Sequence, residues 1–180
     1  SRAQVPQPAS SEPARATAVV VDPMPVAPEV VARNDAGLVT VRATRINEKV
    51  TIDGRLDEAV YRQVKAISDF VQQQPEEGSP AHDVTEVWVL FDDDALMVSA
   101  YCHQDPSLRM VANDLRRDGQ NIFQNDNFGV ILDTFHDRRN GFLFHTNPIG
   151  GLQDSQMTDE GNFNRDWNTV WASRSRPCRS

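Results

Sequence analysis

DNFGVILDTFHDRRNGFLFHTNPIGGLQD, residues 126–154, is the stretch whose punctuation decides the fold. Phe128 to Leu132 is a short apolar run rich in β-formers, and the polar cluster from Asp137 to Asn140 closes it at Asn140-Gly141, a hairpin signal. Phe142 to Thr146 resumes as a second strand, and Asn147-Pro148 with Gly150-Gly151 breaks it before Leu152. Such a meander sends alternate side chains to two opposite faces. Upstream, Val84, Val87, Val89 and Phe91 begin another hairpin, with Asp92-Asp93-Asp94 at the bend and Ala95 to Tyr101 returning. Trp88 and Leu90 point opposite to Val87 and Val89, so both faces of this strand are apolar and it is predicted to be central in a two-layer fold.

Further upstream, Val39, Val41 and Ala43 alternate with Thr40, Arg42 and Thr44, the period of a half-buried strand. Lys49 to Ile52 reads as a second short strand ending at Asp53-Gly54. The period then switches. Leu56, Val60 and Val64 share one helical face, with Asp57 and Glu58 at the start where the helix dipole favours negative charge. Tyr61 is expected to pack in the core. Phe70 to Gln74 reads as one more strand, and Pro75 to Pro80 as a loop. The pattern predicts a mainly β chain, an antiparallel, jelly-roll-like β-sandwich with one short covering helix.

Residues 1–38 hold six of the eleven prolines and no aromatic residue, so they are expected to be a disordered Pro/Ala-rich linker, with Val19 to Val21 at most a transient edge strand. The remaining chain is apolar enough, at 39% hydrophobic residues over 180, to bury one core. A net charge of −8 leaves no broad basic face, which argues against nucleic acid as a partner and for a neutral or cationic ligand. No apolar run approaches the roughly 20 residues of a membrane-spanning helix. The chain starts at Ser1, which fits a removed signal peptide or a trimmed chain. Cys102 is expected to be a buried thiol and Cys178 an incidental one, a bridge between them being the alternative.

Three blocks carry a family resemblance: IDGRLDEAVY at Ile52 to Tyr61, VTEVWVLFDDDALMVSAYC at Val84 to Cys102, and LDTFHDRRNGFLFHTNPIGGLQD at Leu132 to Asp154. In this order they resemble carbohydrate-binding module family 9, in particular domains at the N-terminus of secreted or outer-membrane bacterial proteins with an uncharacterised, barrel-like remainder. The resemblance covers about Val39 to Trp171 and implies a family 9-like domain at 39–172, followed by an atypical tail at 173–180. It also implies a further Gly-Trp hairpin and more strands, absent after residue 172; the domain is therefore expected to be C-terminally incomplete, either cut or ending in a different reading of the gene. Location in the periplasm, the outer membrane or outside the cell follows from the same resemblance, as does a longer parent chain.

Sugar recognition needs flat aromatic faces ringed by amide, carboxylate or guanidinium groups. Phe123, Asn125, Asn164 and Trp167 supply those types, and the resemblance places one aromatic of a two-sided sugar clamp at Phe123. The expected partner is a poly- or oligosaccharide. For catalysis, Asp126 and Asp133 are the carboxylates flanking the key strand. Seven residues of extended chain set them roughly 23 Å apart, beyond the roughly 5 to 9.5 Å of glycoside hydrolysis. They are expected to brace loops or to hold calcium. The bend at Asp92 to Asp94 invites a structural calcium too, against turn-forming carboxylates as the preferred reading, because a calcium loop spaces its ligands every second residue. No other cofactor is expected. His136 and His145 could face each other across the hairpin, although no nucleophile stands near them. Arg109, Arg116 and Arg117 offer either a contact for an acidic sugar or, preferred because acidic residues are interspersed, a solvated loop. Three functions follow: a non-catalytic carbohydrate-binding module, a structural or interaction cap without sugar binding, and part of a glycoside hydrolase.

Overall fold

The computed structural model describes residues 23–35, 37–159 and 161–177. The expectations for Val19 to Val21, for most of the linker and for Cys178 lie outside these residues. Within them the chain is mainly β, with nine strands in sheets of two, three and four. β1 (Val31–Arg33) pairs antiparallel with β2 (Val39–Val41). β3 (Thr44–Arg45), β4 (Thr85–Phe91) and β5 (Leu96–Cys102) form the second sheet, and β6 (Phe128–Leu132), β7 (Gly141–Thr146), β8 (Leu152–Thr158) and β9 (Asn162–Asn164) the third.

The second sheet is built as its apolar pattern dictates. β4 is central, and β5 pairs with it over seven consecutive positions, from Thr85 opposite Cys102 to Phe91 opposite Leu96. Trp88 and Leu90 sit in a buried cluster with Ile46, Val50, Val60 and Tyr61, and Leu90 is wholly enclosed. Tyr61 is a core residue, its ring edge-on to Trp88 at 5.4 Å and its hydroxyl 2.9 Å from Ser99 Oγ. Burial raises its phenol pKa. β3 runs parallel to β4, a pairing that needs a long crossover and receives one in the chain that carries α1.

Five local expectations are corrected. The helix α1 is one turn, Val60–Gln63, not a run from Leu56 to Val64. It stops because the Val64 carbonyl accepts the Trp88 indole N–H (3.0 Å) while the chain turns extended to set Ile67 against Val87. Leu56 and Val64 still pack on the core. Lys49 to Ile52 is no strand, since the Thr51 N–H is satisfied by the Glu58 carboxylate at 2.9 Å rather than by a neighbouring strand. Phe70 to Gln74 makes only a single bridge, Val71 to Pro80, within a loop where Pro75 and Pro80 lack ladder donors. Val31–Arg33, at the end of the expected linker, forms β1 because Asn34 closes a hairpin: its Oδ1 accepts the Leu38 N–H at 2.9 Å, and Gly37 takes φ +78°. Cys102, expected inside, ends β5 on the surface.

The third sheet follows the opening stretch closely. Phe128 faces Thr146, Leu132 faces Phe142, and Gly141 to Thr146 continue against Met157 to Leu152. Residues 168–177 have no regular structure. They join the halves of the molecule: Thr146 meets Ser175 (3.1 Å between hydroxyls), and Arg176 Nε donates to the Asp53 carbonyl at 2.9 Å.

Candidate functional site

Register fixes two different faces on the third sheet. Gly129, His145 and Gln153 lie side by side on one; Val130, Phe144 and Asp154 lie side by side on the other.

On the first face, a 3-10 turn at Ile122–Gln124 leads into β6. Ile122 is buried and anchors the turn, which leaves Phe123 turned out, 49% exposed. The Phe123 ring meets His145 edge-on, with centroids 4.8 Å apart. His145 in turn lies over Gly129, where a Cβ would come within 2.4 Å of the imidazole, so only glycine leaves room for the ring. Its Nδ1 is 3.3 Å from Asn127 Oδ1, and burial pushes the imidazole pKa below its ordinary 6.5. Gln153, beside His145, is buried, and its Oε1 has no hydrogen-bond partner. Asn125 is buried as well. Its Oδ1 accepts the N–H groups of Asn113 (2.6 Å) and Asp114 (3.3 Å), and its Nδ2 donates to the Asn121 carbonyl at 2.7 Å.

On the opposite face, Trp167 lies across Phe142 at 4.7 Å and meets Phe144 edge-on at 6.2 Å. Trp171 packs on Phe144 at 5.2 Å. Asp154, fully enclosed, fastens this segment: its Oδ2 accepts the Thr169 N–H (2.9 Å) and its Oδ1 the Arg117 guanidinium (2.7 Å). Arg117 also donates to Asn168 Oδ1 at 2.7 Å. Asn164, exposed on β9, accepts the Asp166 N–H at 3.1 Å and turns the chain toward Trp167. The four expected sugar contacts thus fall into two pairs on opposite faces. Phe123 and Trp167 do not share a surface, and the Asn125 amide is taken up by backbone.

The carboxylates brace loops. Asp126 Oδ2 accepts the Val111 N–H at 2.8 Å. Asp133 accepts the N–H groups of Arg138 (2.7 Å), Phe135 and Asp137, and the Arg138 contact above all holds its carboxyl below the usual range. Asp92 caps the bend through the N–H groups of Asp94 and Ala95, while Asp93 pairs with Arg45. Among the described residues no three His, Cys, Asp or Glu side chains gather around a common point. His136 sits in the turn at φ +54° and His145 near the far end of β7, so they do not face each other. Arg117 reaches in to Asp154, whereas Arg116, 3.6 Å from Asp114, keeps its side chain in solvent, as does Arg109.

No protein-family model, curated protein or solved structure matches this chain.

The residues that organise the site were not singled out by sequence. Asn147 is buried, donates through Nδ2 to the Asp114 carbonyl and accepts the Gly151 N–H at 2.7 Å, tying the loop before Phe123 to the turn before β8. Gly151 is needed there, because a Cβ would stand 2.4 Å from the Asp114 carbonyl oxygen. The one sequence signal was the Asn-Pro-x-Gly-Gly spelling of the turn, which marks a break without revealing that its asparagine points inward.

Proposed function

We propose that this chain is a non-catalytic carbohydrate-binding module of the family 9 type, its sheets forming a sandwich, within a longer secreted or outer-membrane bacterial protein. A sugar ring rests on Phe123. The observation that carries this reading is the half-open Phe123 ring, backed edge-on by His145 at 4.8 Å, in a turn whose neighbouring Asn121 and Gln124 are exposed. An aromatic face stacks on the C–H side of a pyranose, and amides exchange hydrogen bonds with its hydroxyls. A second exposed aromatic, Phe163 on β9, shares this face at the Met157 end of the sheet. Retention on a panel of soluble and insoluble polysaccharides tests it: Phe123→Ala should weaken binding about tenfold, the value of one stacking contact of roughly 1.4 kcal/mol. Unchanged affinity in a folded variant removes Phe123 from the site.

A second reading, a structural or interaction cap, is favoured by the opposite face. There Phe142 and Phe144, the aromatic pair best placed for a ligand, are covered by the chain's own Trp167 and Trp171. No retention on any polysaccharide would favour the cap.

A further inference from the structure

The loop that carries Phe123 wraps around an edge of the third sheet. β9 pairs only with Gln156 to Thr158 of β8, and Asp118 takes the edge beyond them. Its N–H donates to the Leu152 carbonyl at 2.8 Å, and its Oδ1 accepts the Asp154 N–H at 3.4 Å. Asp118 holds a left-handed backbone here, φ +57°, which a residue other than glycine keeps only where its surroundings fix it. Arg117, before this contact, sends its guanidinium to the face of Asp154, and Phe123, after it, rests against His145 on the other. Nη2 of Arg117 lies 2.7 Å from Asp154 Oδ1, 2.7 Å from Asn168 Oδ1 and 3.3 Å from the Thr169 carbonyl oxygen. The last two belong to the segment that lays Trp167 and Trp171 on Phe142 and Phe144.

From Arg117 to the Phe123 turn the chain is closed by consecutive backbone bonds. The Gly119 N–H donates to the Arg116 carbonyl at 3.3 Å, the Ile122 N–H to the Gly119 carbonyl at 3.3 Å, and the Asn125 N–H to the Ile122 carbonyl at 3.1 Å. Gly119 lies so close to the Asp114 carboxylate that a Cβ would stand 2.4 Å from its Oδ2, which leaves no slack on that side. We propose that Arg117 is a positioning residue for Phe123: it couples the ring on one face to the tryptophan segment docked on the other, so that each is held more firmly when the other is. This role rests on Phe123 as the sugar contact. Such coupling is reciprocal: the factor by which the docked segment strengthens sugar binding is the factor by which bound sugar strengthens docking.

Hydrogen exchange, quenching of tryptophan fluorescence and polysaccharide retention on the whole chain test this. Trp88, buried in the second sheet, gives the constant background to the quenching. Arg117→Gln should expose Trp167 and Trp171 to the quencher, lower amide protection at Ile122 and Gln124, and weaken retention about fivefold. Arg116→Gln, which removes the same charge from the exposed neighbour, should do none of these. Asn168→Ala takes one contact from the segment's side and should give the same changes in smaller measure; it replaces Arg117→Gln should the latter not fold. In the wild type, bound polysaccharide should slow the quenching, although both tryptophans lie on the face away from Phe123. A loosened segment with unchanged protection at Ile122 and Gln124 would overturn the coupling, whether or not any polysaccharide binds. Retention weakened by Phe123→Ala but indifferent to Arg117→Gln would overturn the positioning role and leave the sugar reading standing. Absence of any retention strikes the sugar reading instead, and protection at Ile122 and Gln124 then decides the coupling alone.

Discussion

The two larger sheets are held together by different physics. Around β4 the buried residues are apolar: Ile46, Val50, Val60, Tyr61, Val87, Trp88 and Leu90. Around β7 and β8 they are mostly polar, and all six buried polar residues of the described chain, Asp114, Asn125, Asn147, Gln153, Asp154 and Ser155, lie there. Apolar burial is non-directional and tolerates small shifts. A buried hydrogen-bond network is directional, and every member left without its partner costs desolvation. The first region is therefore a scaffold that fills space. In the second, each loop has a fixed address, the property needed to hold an exposed ring such as Phe123 in one place.

The largest effect is expected at Leu90. Leu90→Ala empties a wholly enclosed site and should cost about 2–5 kcal/mol in denaturant unfolding. The comparison sharpens if amides of β6 to β8 keep their exchange protection while those of β4 and β5 lose it. It breaks if all strands lose protection together, because the regions would then unfold as one.

A smaller loss is expected at Asp154. Removing its carboxylate leaves the Thr169 N–H and one contact of Arg117 without a partner, but Arg117 is 39% exposed and recovers water. The full cost of breaking a buried ion pair is thus discounted, and Asp154→Ala should cost about 2 kcal/mol. Its signature is local: amide protection falls at Thr169, and Trp167 and Trp171 become more accessible to a fluorescence quencher. Equal loss of protection in β4 would mean that the polar network supports the whole molecule rather than one face.

This difference also explains what could be read from sequence. Both hairpins were legible because their strands are apolar and their turns are spelled out by Asp92-Asp93-Asp94 and Asn140-Gly141. Tyr61 was legible as core through the resemblance of the IDGRLDEAVY block, which implies a packed aromatic at that place, rather than through periodicity. The second region was less so, since an asparagine or aspartate in a loop reads as surface whichever way it points. Asn125 was chosen as a ligand contact for its chemistry, yet the return of residues 113–114 past it decides its role, and local sequence does not encode that return. Phe123 and Trp167 were grouped by type, whereas the parity of β7, where Phe144 and His145 are consecutive, assigns them to opposite faces. Strands failed where side chains replaced ladder partners, as Glu58 does for Thr51.

The smallest effect concerns His145, the titratable group behind the proposed platform. Burial lowers its pKa in the folded state below the ordinary 6.5, so between the two values the unfolded chain binds more protons than the folded one. Stability from the neutral ring is complete above about pH 6.5 and declines as pH falls through that window toward the lowered pKa. The groups near the ring are Phe123, Gly129, Asn127 and Gln153, none of them charged, so no partner carboxylate reverses the sign. The carboxyl of Asp133, also lowered, weakens its turn only further down, below its ordinary 3.8. Denaturant midpoints of the wild type should therefore fall slightly from pH 7 to pH 5.5, and His145→Gln should flatten that slope. Sugar retention should weaken over the same interval if the protonated ring leaves Gly129 and carries Phe123 with it. A pH-independent midpoint alongside pH-dependent retention would instead place the titrating group on the sugar side of the contact, and Phe123 would owe its position to the Ile122 anchor alone.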